Sequence, residues 1–185
     1  MLSERNNPMA RLEFIGDLAG STPVYPRECS CAFTGHRVIP RADYERIKSN
    51  TVAAVRALLA RGFYHFLVGG ALGFDTLAAR IILMLRESHP EIRLTVAVPC
   101  EGQSDGWQEA DRVRYEKIIE HADRALLLSR GYSRSAMLKR NRYMIDNSAA
   151  CIAYLTKNRG GSAYTVNYAS ERGLEIINTE NISAL

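Results

Sequence analysis

No stretch of the 185-residue chain is apolar for anything near the roughly 20 residues a membrane-spanning helix needs. The best helical segment is interrupted by Arg56 and Arg61, so no membrane span is expected. The opening MLSERNNPMARLEF has no apolar core segment, which argues against a secretory leader and for a cytoplasmic protein. Cysteine is scarce. Cys29, Cys31, Cys100 and Cys151 are too few and too scattered for a disulfide scaffold, and they read as buried strand residues in a reducing compartment. Cys29-x-Cys31 has no second ligand pair at zinc spacing and the four histidines are dispersed, so no metal site is expected. Neither GxGxxG nor a P-loop with its Lys-Ser/Thr pair occurs, which excludes P-loop ATP hydrolysis and argues against an ordinary dinucleotide fingerprint. Internal repeats, low-complexity tracts and a second-domain linker are also absent.

What is present is an ordinary globular balance, 46% hydrophobic and 24% charged. Residues 1–27 show no sustained period and are punctuated by Gly16, Gly20, Pro23 and Pro26. They read as an N-terminal extension with at most a short helical turn, ahead of a single domain over 28–185. From Cys29 onward, short apolar runs alternate with helical patterns. CSCAFT (29–34), FYHFLVGG (63–70), LTVAVP (94–99), RALLLS (124–129), ACIAYL (150–155) and LEIIN (174–178) are expected strands. Asp43 is placed to cap a helix with the stripe Tyr44, Ile47, Val55 and Leu58, stopped by Gly62. Phe74, Leu77, Ala78, Ile81 and Leu85 mark a second helix ended by Pro90, and Tyr115, Ile118, Ile119 and Ala122 a third. Lys139 to Asn147 and Ala163 to Arg172 supply two more. About six strands separated by five helices require crossovers, so the expected fold is α/β: a doubly wound, mostly parallel sheet with helices on both faces.

Ligands of such sheets bind beyond the carboxyl ends of the strands. There the sequence puts Thr34, Gly35, His36 and Arg37; then Gly69, Gly70, Gly73 and Asp75; then PCEGQ (99–103) with Trp107; and finally Arg159, Gly160, Gly161 and Ser162. GGALGFD follows a strand and opens a helix, the context for an anion-cradling turn; the plainer alternative is a tight strand-to-helix turn alone. Asp75 would repel a phosphate on the same N–H groups, so it is expected to bond sugar hydroxyls or to cap the helix. Arg37 can clamp a phosphate, and His36 can donate to it or act as acid or base. Ser162 is placed as an N-cap, and Trp107 either stacks on a base or packs within its loop. His65, His89 and His121 have no company and read as structural or exposed.

The net charge of +4 is localised. Arg130, Arg134, Lys139, Arg140 and Arg142 stand in one stretch without an acid, carrying +5, and the remainder sums to −1. Tyr132 and Tyr143 are interleaved, which suits a phosphate backbone with stacked bases, although a solvated helix face accounts for such a run as well. Either way the block reads as one edge of the expected pocket.

TGHR after the first strand, GGALGFDTLAA after the second, VPCEGQSDGW, RYEKIIEHAD, KRNRYMIDNSA and RGGSAYTVNYASERG resemble the YpsA-like branch of the SLOG superfamily, in the right order over residues 29–178. The resemblance implies a Rossmann-like fold and a pocket built from these loops, with links to bacterial cell division and to sensing of nucleotide-derived ligands. Two better-understood relatives point in different directions. Cytokinin-activating phosphoribohydrolases carry PGGxGTxxE with a catalytic glutamate. The corresponding stretch here, Gly160 to Tyr168, has no acid where that glutamate falls. The DNA-processing protein DprA has a GxxxGxDxxAH-like loop and an RNR, similar to Gly69–Ala79 and Arg140-Asn141-Arg142, and it binds single-stranded DNA and dimerises.

The expected function is therefore binding of an ADP-ribose- or NAD-like ligand with no cofactor required and no assigned catalytic residue. Thr34, Gly35, His36 and Arg37 would form one wall, and Gly69, Gly70, Gly73 and Asp75 would hold sugar and phosphate. Gly160, Gly161 and Ser162 would give a second anion site, with Arg140 and Asn141 closing the rim. The alternatives are DprA-like binding of single-stranded nucleic acid through residues 130–142, and a nucleoside monophosphate phosphoribohydrolase using His36 or Asp75. A homodimer is expected from the relatives.

Overall fold

The computed structural model describes residues 11–16 and 24–181. One parallel sheet of seven strands runs through them: β1 (Leu12–Phe14), β2 (Ser30–Gly35), β3 (His65–Val68), β4 (Arg93–Val98), β5 (Arg124–Leu127), β6 (Ala150–Tyr154) and β7 (Glu175–Asn178). The spatial order is β1-β5-β4-β3-β2-β6-β7. The helices are α1 (Tyr44–Ala60), α2 (Phe74–Arg86), α3 (Glu109–His121), α4 (Arg134–Asp146) and α5 (Gly161–Glu171). This is the doubly wound α/β architecture, and the winding reverses at β2, which pairs with β3 on one side and β6 on the other.

Strand alternation explains how both faces are covered. Cys31 and Phe33 point into a core shared with α1, α2 and α3, through Ile47, Val55, Leu58, Phe74, Leu77, Ile81 and Ile119. Ala32, Leu67, Ala97 and Cys151 point the other way, against Met144 and Ile145 of α4 and Ala169 of α5. The second face is built from smaller strand side chains, so α4 and α5 lie close over the middle of the sheet.

Four details differ from the sequence reading. A seventh strand, β1, lies within the stretch expected as an extension; it pairs with β5, and Glu13 accepts from Arg124 Nη2 at 2.6 Å. The rest of that stretch, 1–10 and 17–23, lies outside the described residues. The Asp43 carboxylate caps nothing and accepts from Arg46 at 2.8 Å. Helix α4 starts at Arg134, five residues before Lys139, because the Ser133 hydroxyl accepts from the Ala136 N–H and caps it. Ser162 is not the N-cap of α5: Gly160 holds that position at φ +89°, and the Ser162 hydroxyl instead donates to the Gly35 carbonyl at 2.8 Å. Three of the thiols, Cys31, Cys100 and Cys151, are buried and held above the usual thiol range chiefly by burial; Cys29 is half-buried in a 3-10 turn.

Candidate functional site

Where the winding reverses, the carboxyl ends of β2 and β6 open a cleft of about 410 Å³. Thr34, Gly35, His36 and Arg37 form the wall at the end of β2. Arg159, Gly160, Gly161 and Ser162 form the opposing wall, Asp75 lies on the floor, and Arg140 and Asn141 close the side. Residues separated by over a hundred positions in sequence thus face one another.

The α5 end of the cleft is arranged for an anion. The first-turn N–H groups of a helix have no acceptor within it, and no side chain caps them here. A Cβ built on Gly160 or Gly161 would meet no atom within 4 Å, so the backbone is open to the cleft. The helix dipole adds a partial positive charge, and Arg37 and Arg159 stand on the rim.

Beneath it is a polar network. Arg140 is 8% exposed and Asp75 6%, with Arg140 Nη1 3.7 Å from Asp75 Oδ2. Arg140 Nη1 donates to the Gly69 carbonyl, and its Nε donates to Asn141 Oδ1 at 2.7 Å. Asn141 Nδ2 donates to Thr165 Oγ1 at 2.8 Å, and that hydroxyl donates to the Gly161 carbonyl at 2.9 Å. A continuous chain of bonds therefore links the buried guanidinium to the first turn of α5. Burial raises the Asp75 carboxyl, and the Arg140 charge opposes this; burial likewise lowers Arg140, opposed by Asp75.

The three glycines of the GGALGFD loop do not line this cleft. A Cβ on Gly69 would lie 1.6 Å from Arg140 Nη1, and one on Gly73 would lie 2.3 Å from the Arg37 carbonyl oxygen. Gly73 also has φ +78°. At Gly70 the neighbours would be Tyr115, Val96 and Gln103, each at 3.0–3.2 Å. Their small size lets protein pack on protein, the plainer of the two roles weighed above. Asp75 Oδ2 accepts from the Ala71 N–H at 3.3 Å, so the carboxylate also fastens its own loop, while Gly73 is the N-cap of α2. His36 Nε2 accepts from the Thr156 N–H at 3.0 Å, which leaves Nδ1 as the only ring nitrogen able to donate to a ligand.

The basic stretch does not form one edge. Helical periodicity sends Arg140 inward, whereas Arg142 turns outward, donates to the Tyr164 hydroxyl at 2.7 Å and lies over the Tyr164 and Tyr168 rings. Arg130 covers the Phe14 ring and stands 3.7 Å from Glu101. Met137 and Met144 also line the cleft and escaped the sequence reading. Their spacing was the available signal: Met137, Arg140, Asn141 and Met144 fall at i, i+3, i+4 and i+7, one face of α4.

Residues 40–180 match the model of the YspA SLOG family. The chain is 33% identical over 129 residues to the UPF0398 protein BH1768 of Halalkalibacterium halodurans, covering 68% of each chain. It is 28% identical over 139 residues to the SPbeta prophage-derived protein YoqJ of Bacillus subtilis, covering 68% of this chain and 81% of that one. Among solved structures, DNA processing protein A (DprA) from Streptococcus pneumoniae superposes with TM-score 0.58 at 18% identity, over 86% of this chain. DNA processing protein A from Helicobacter pylori, described for its single-stranded DNA binding mode, superposes with TM-score 0.57 at 21% identity over 80% of this chain. This chain spans 50% and 63% of those two, and at such identities the likeness is one of fold. Among the described residues no helix is long and apolar enough to cross a membrane.

Proposed function

This chain belongs to the YspA SLOG family, and from that premise we propose that it binds a nucleotide-derived small ligand, ADP-ribose- or NAD-like, in the cleft between β2 and β6. One observation carries the reading: an uncapped helix N-terminus, flanked by two arginines, opens onto the same cleft as a buried carboxylate. Phosphate is matched by the α5 N–H groups with Arg37 and Arg159, and sugar hydroxyls by the Asp75 carboxylate. The volume falls in the range of small-molecule sites. The first turn of α5 carries no acidic side chain, and none of the buried thiols is activated, so the residues present favour binding over hydrolysis.

Thermal unfolding tests this. At a hundredfold excess over its dissociation constant, a ligand of this class is expected to add about 2.7 kcal/mol, raising Tm by about 5–10 °C for a chain of this size. Absence of any shift with millimolar ADP-ribose, NAD and AMP would sink the proposal.

The likeness to DprA favours a second reading, single-stranded nucleic acid bound outside the cleft. Arg130, Arg134 and Arg142 are the exposed arginines of the basic stretch. Three phosphate contacts predict a log–log salt slope of about −2 for an oligonucleotide measured by anisotropy. Binding that ignores salt, or no binding at 50 mM salt, removes this reading.

A further inference from the structure

A second cavity of about 230 Å³ adjoins the cleft and shares Arg37, Ala71, Met137 and Arg140 with it as a common wall. Its far side is of different chemistry. Trp107 lines it, half-buried and fixed by an edge contact to the Tyr115 ring at 5.5 Å. Tyr132 faces it from the segment between β5 and α4 and is 79% exposed. Gln103 and Asp105 complete the edge. One Gln103 amide hydrogen is committed to the Gly70 carbonyl at 2.6 Å, which leaves Oε1, the second amide hydrogen and the Asp105 carboxylate at this edge, and of these the carboxylate accepts only.

We propose that this aromatic compartment receives the base of a nucleoside 5′-phosphate whose phosphate lies at the α5 N-terminus. The assignment rests on the cleft reading above and gives it a direction: phosphate at α5, sugar over Asp75 and Arg140, base between Trp107 and Tyr132. A flat ring is the chemistry two aromatic side chains on one small cavity recognise. The Asp105 carboxylate favours a base that presents amino hydrogens, as adenine and guanine do, over uracil, whose single imide N–H is flanked by two carbonyl oxygens.

Trp107 is the only tryptophan, so tryptophan emission, excited at wavelengths that tyrosine does not absorb, reports on this compartment alone. AMP is expected to quench it saturably, while ribose 5-phosphate, which lacks the base, stabilises the protein against heat without quenching. Tyr132→Ala removes an exposed side chain that the fold does not need; it is expected to weaken AMP about tenfold and to leave ribose 5-phosphate within about twofold. UMP is expected to bind several-fold more weakly than AMP. Binding of AMP without quenching, with unchanged affinity in Tyr132→Ala, overturns the base assignment and leaves the cleft reading standing. Equal binding of UMP and AMP overturns the role of Asp105. Failure of both AMP and ribose 5-phosphate to bind overturns the compartment and the cleft together.

Discussion

Arg140→Met is expected to destabilise the protein by about 3–5 kcal/mol, the cost of leaving one member of a buried ion pair without the other. The guanidinium stands 3.7 Å from Asp75 Oδ2 and donates to the Gly69 carbonyl and to Asn141. Methionine follows the aliphatic stem but returns none of those bonds. Asp75 is then a carboxylate in the interior without its nearest cation, left with backbone N–H groups and the weaker influence of the Arg37 charge. Burial already raises this carboxyl, and losing Arg140 removes the main opposing influence. A carboxyl whose folded pKa exceeds its unfolded one stabilises the fold at low pH, and that stability is lost as pH rises through the folded pKa. The penalty should therefore be larger at pH 7 than at pH 4, read as the difference in urea midpoints between variant and parent. Asp75→Asn combined with Arg140→Met, which removes the charge as well as its partner, should recover part of the loss. A single variant within 1 kcal/mol of the parent at pH 7, as an order-of-magnitude bound, would show that the pair is not what holds this corner together.

That corner shows where sequence reading reaches and where it stops. Strands such as ACIAYL were legible because a parallel sheet covered on both faces demands continuous apolar runs, and the observed Ala150–Tyr154 lies within that segment. The glycine-bearing strand ends were legible for a related reason, and the fold brings Gly35, Gly160 and Gly161 to one cleft. Strand β1 was not legible: three residues carry no period, and their bonds come from β5, a partner over a hundred positions away. Arg140 lines the cleft, but charge counting ignores direction and groups it with basic residues that face elsewhere. Its neighbour two positions on faces outward, and only the packing of α4 on the sheet decides which of the two is buried. Gly69 and Gly73 were recognisable as special, but glycine marks close approach without saying what approaches; here it is Arg140 and the Arg37 carbonyl. Trp107 was read as either packed or available for stacking. It packs edge-on against Tyr115 and lines a cavity as well.

Acid should weaken the fold through His65, which is 5% exposed in the middle of the sheet. The Ser30 hydroxyl donates to the Pro26 carbonyl at 2.7 Å, so its contact with His65 Nδ1 at 2.8 Å requires the ring to donate there. Nε2 then carries no proton and accepts from the Thr95 hydroxyl at 2.8 Å. Both nitrogens of the neutral ring are satisfied. A second proton would turn the Thr95 contact into donor against donor, in a site stripped of water and near the Arg124 charge. Burial, with Arg124 second, pushes His65 down from 6.5 to about 3. The unfolded chain binds a proton below pH 6.5 that the folded one refuses, so stability falls as pH drops from about 6.5 toward about 3. At pH 4 this amounts to about 3 kcal/mol relative to pH 7, at 1.36 kcal/mol per pKa unit. His65→Gln keeps a donor and an acceptor but cannot titrate. It is expected to lose stability at pH 7 and to flatten the dependence between pH 4 and 6.5 by that amount. Parallel stability profiles of parent and variant across this window would mean that His65 does not set the acid limit.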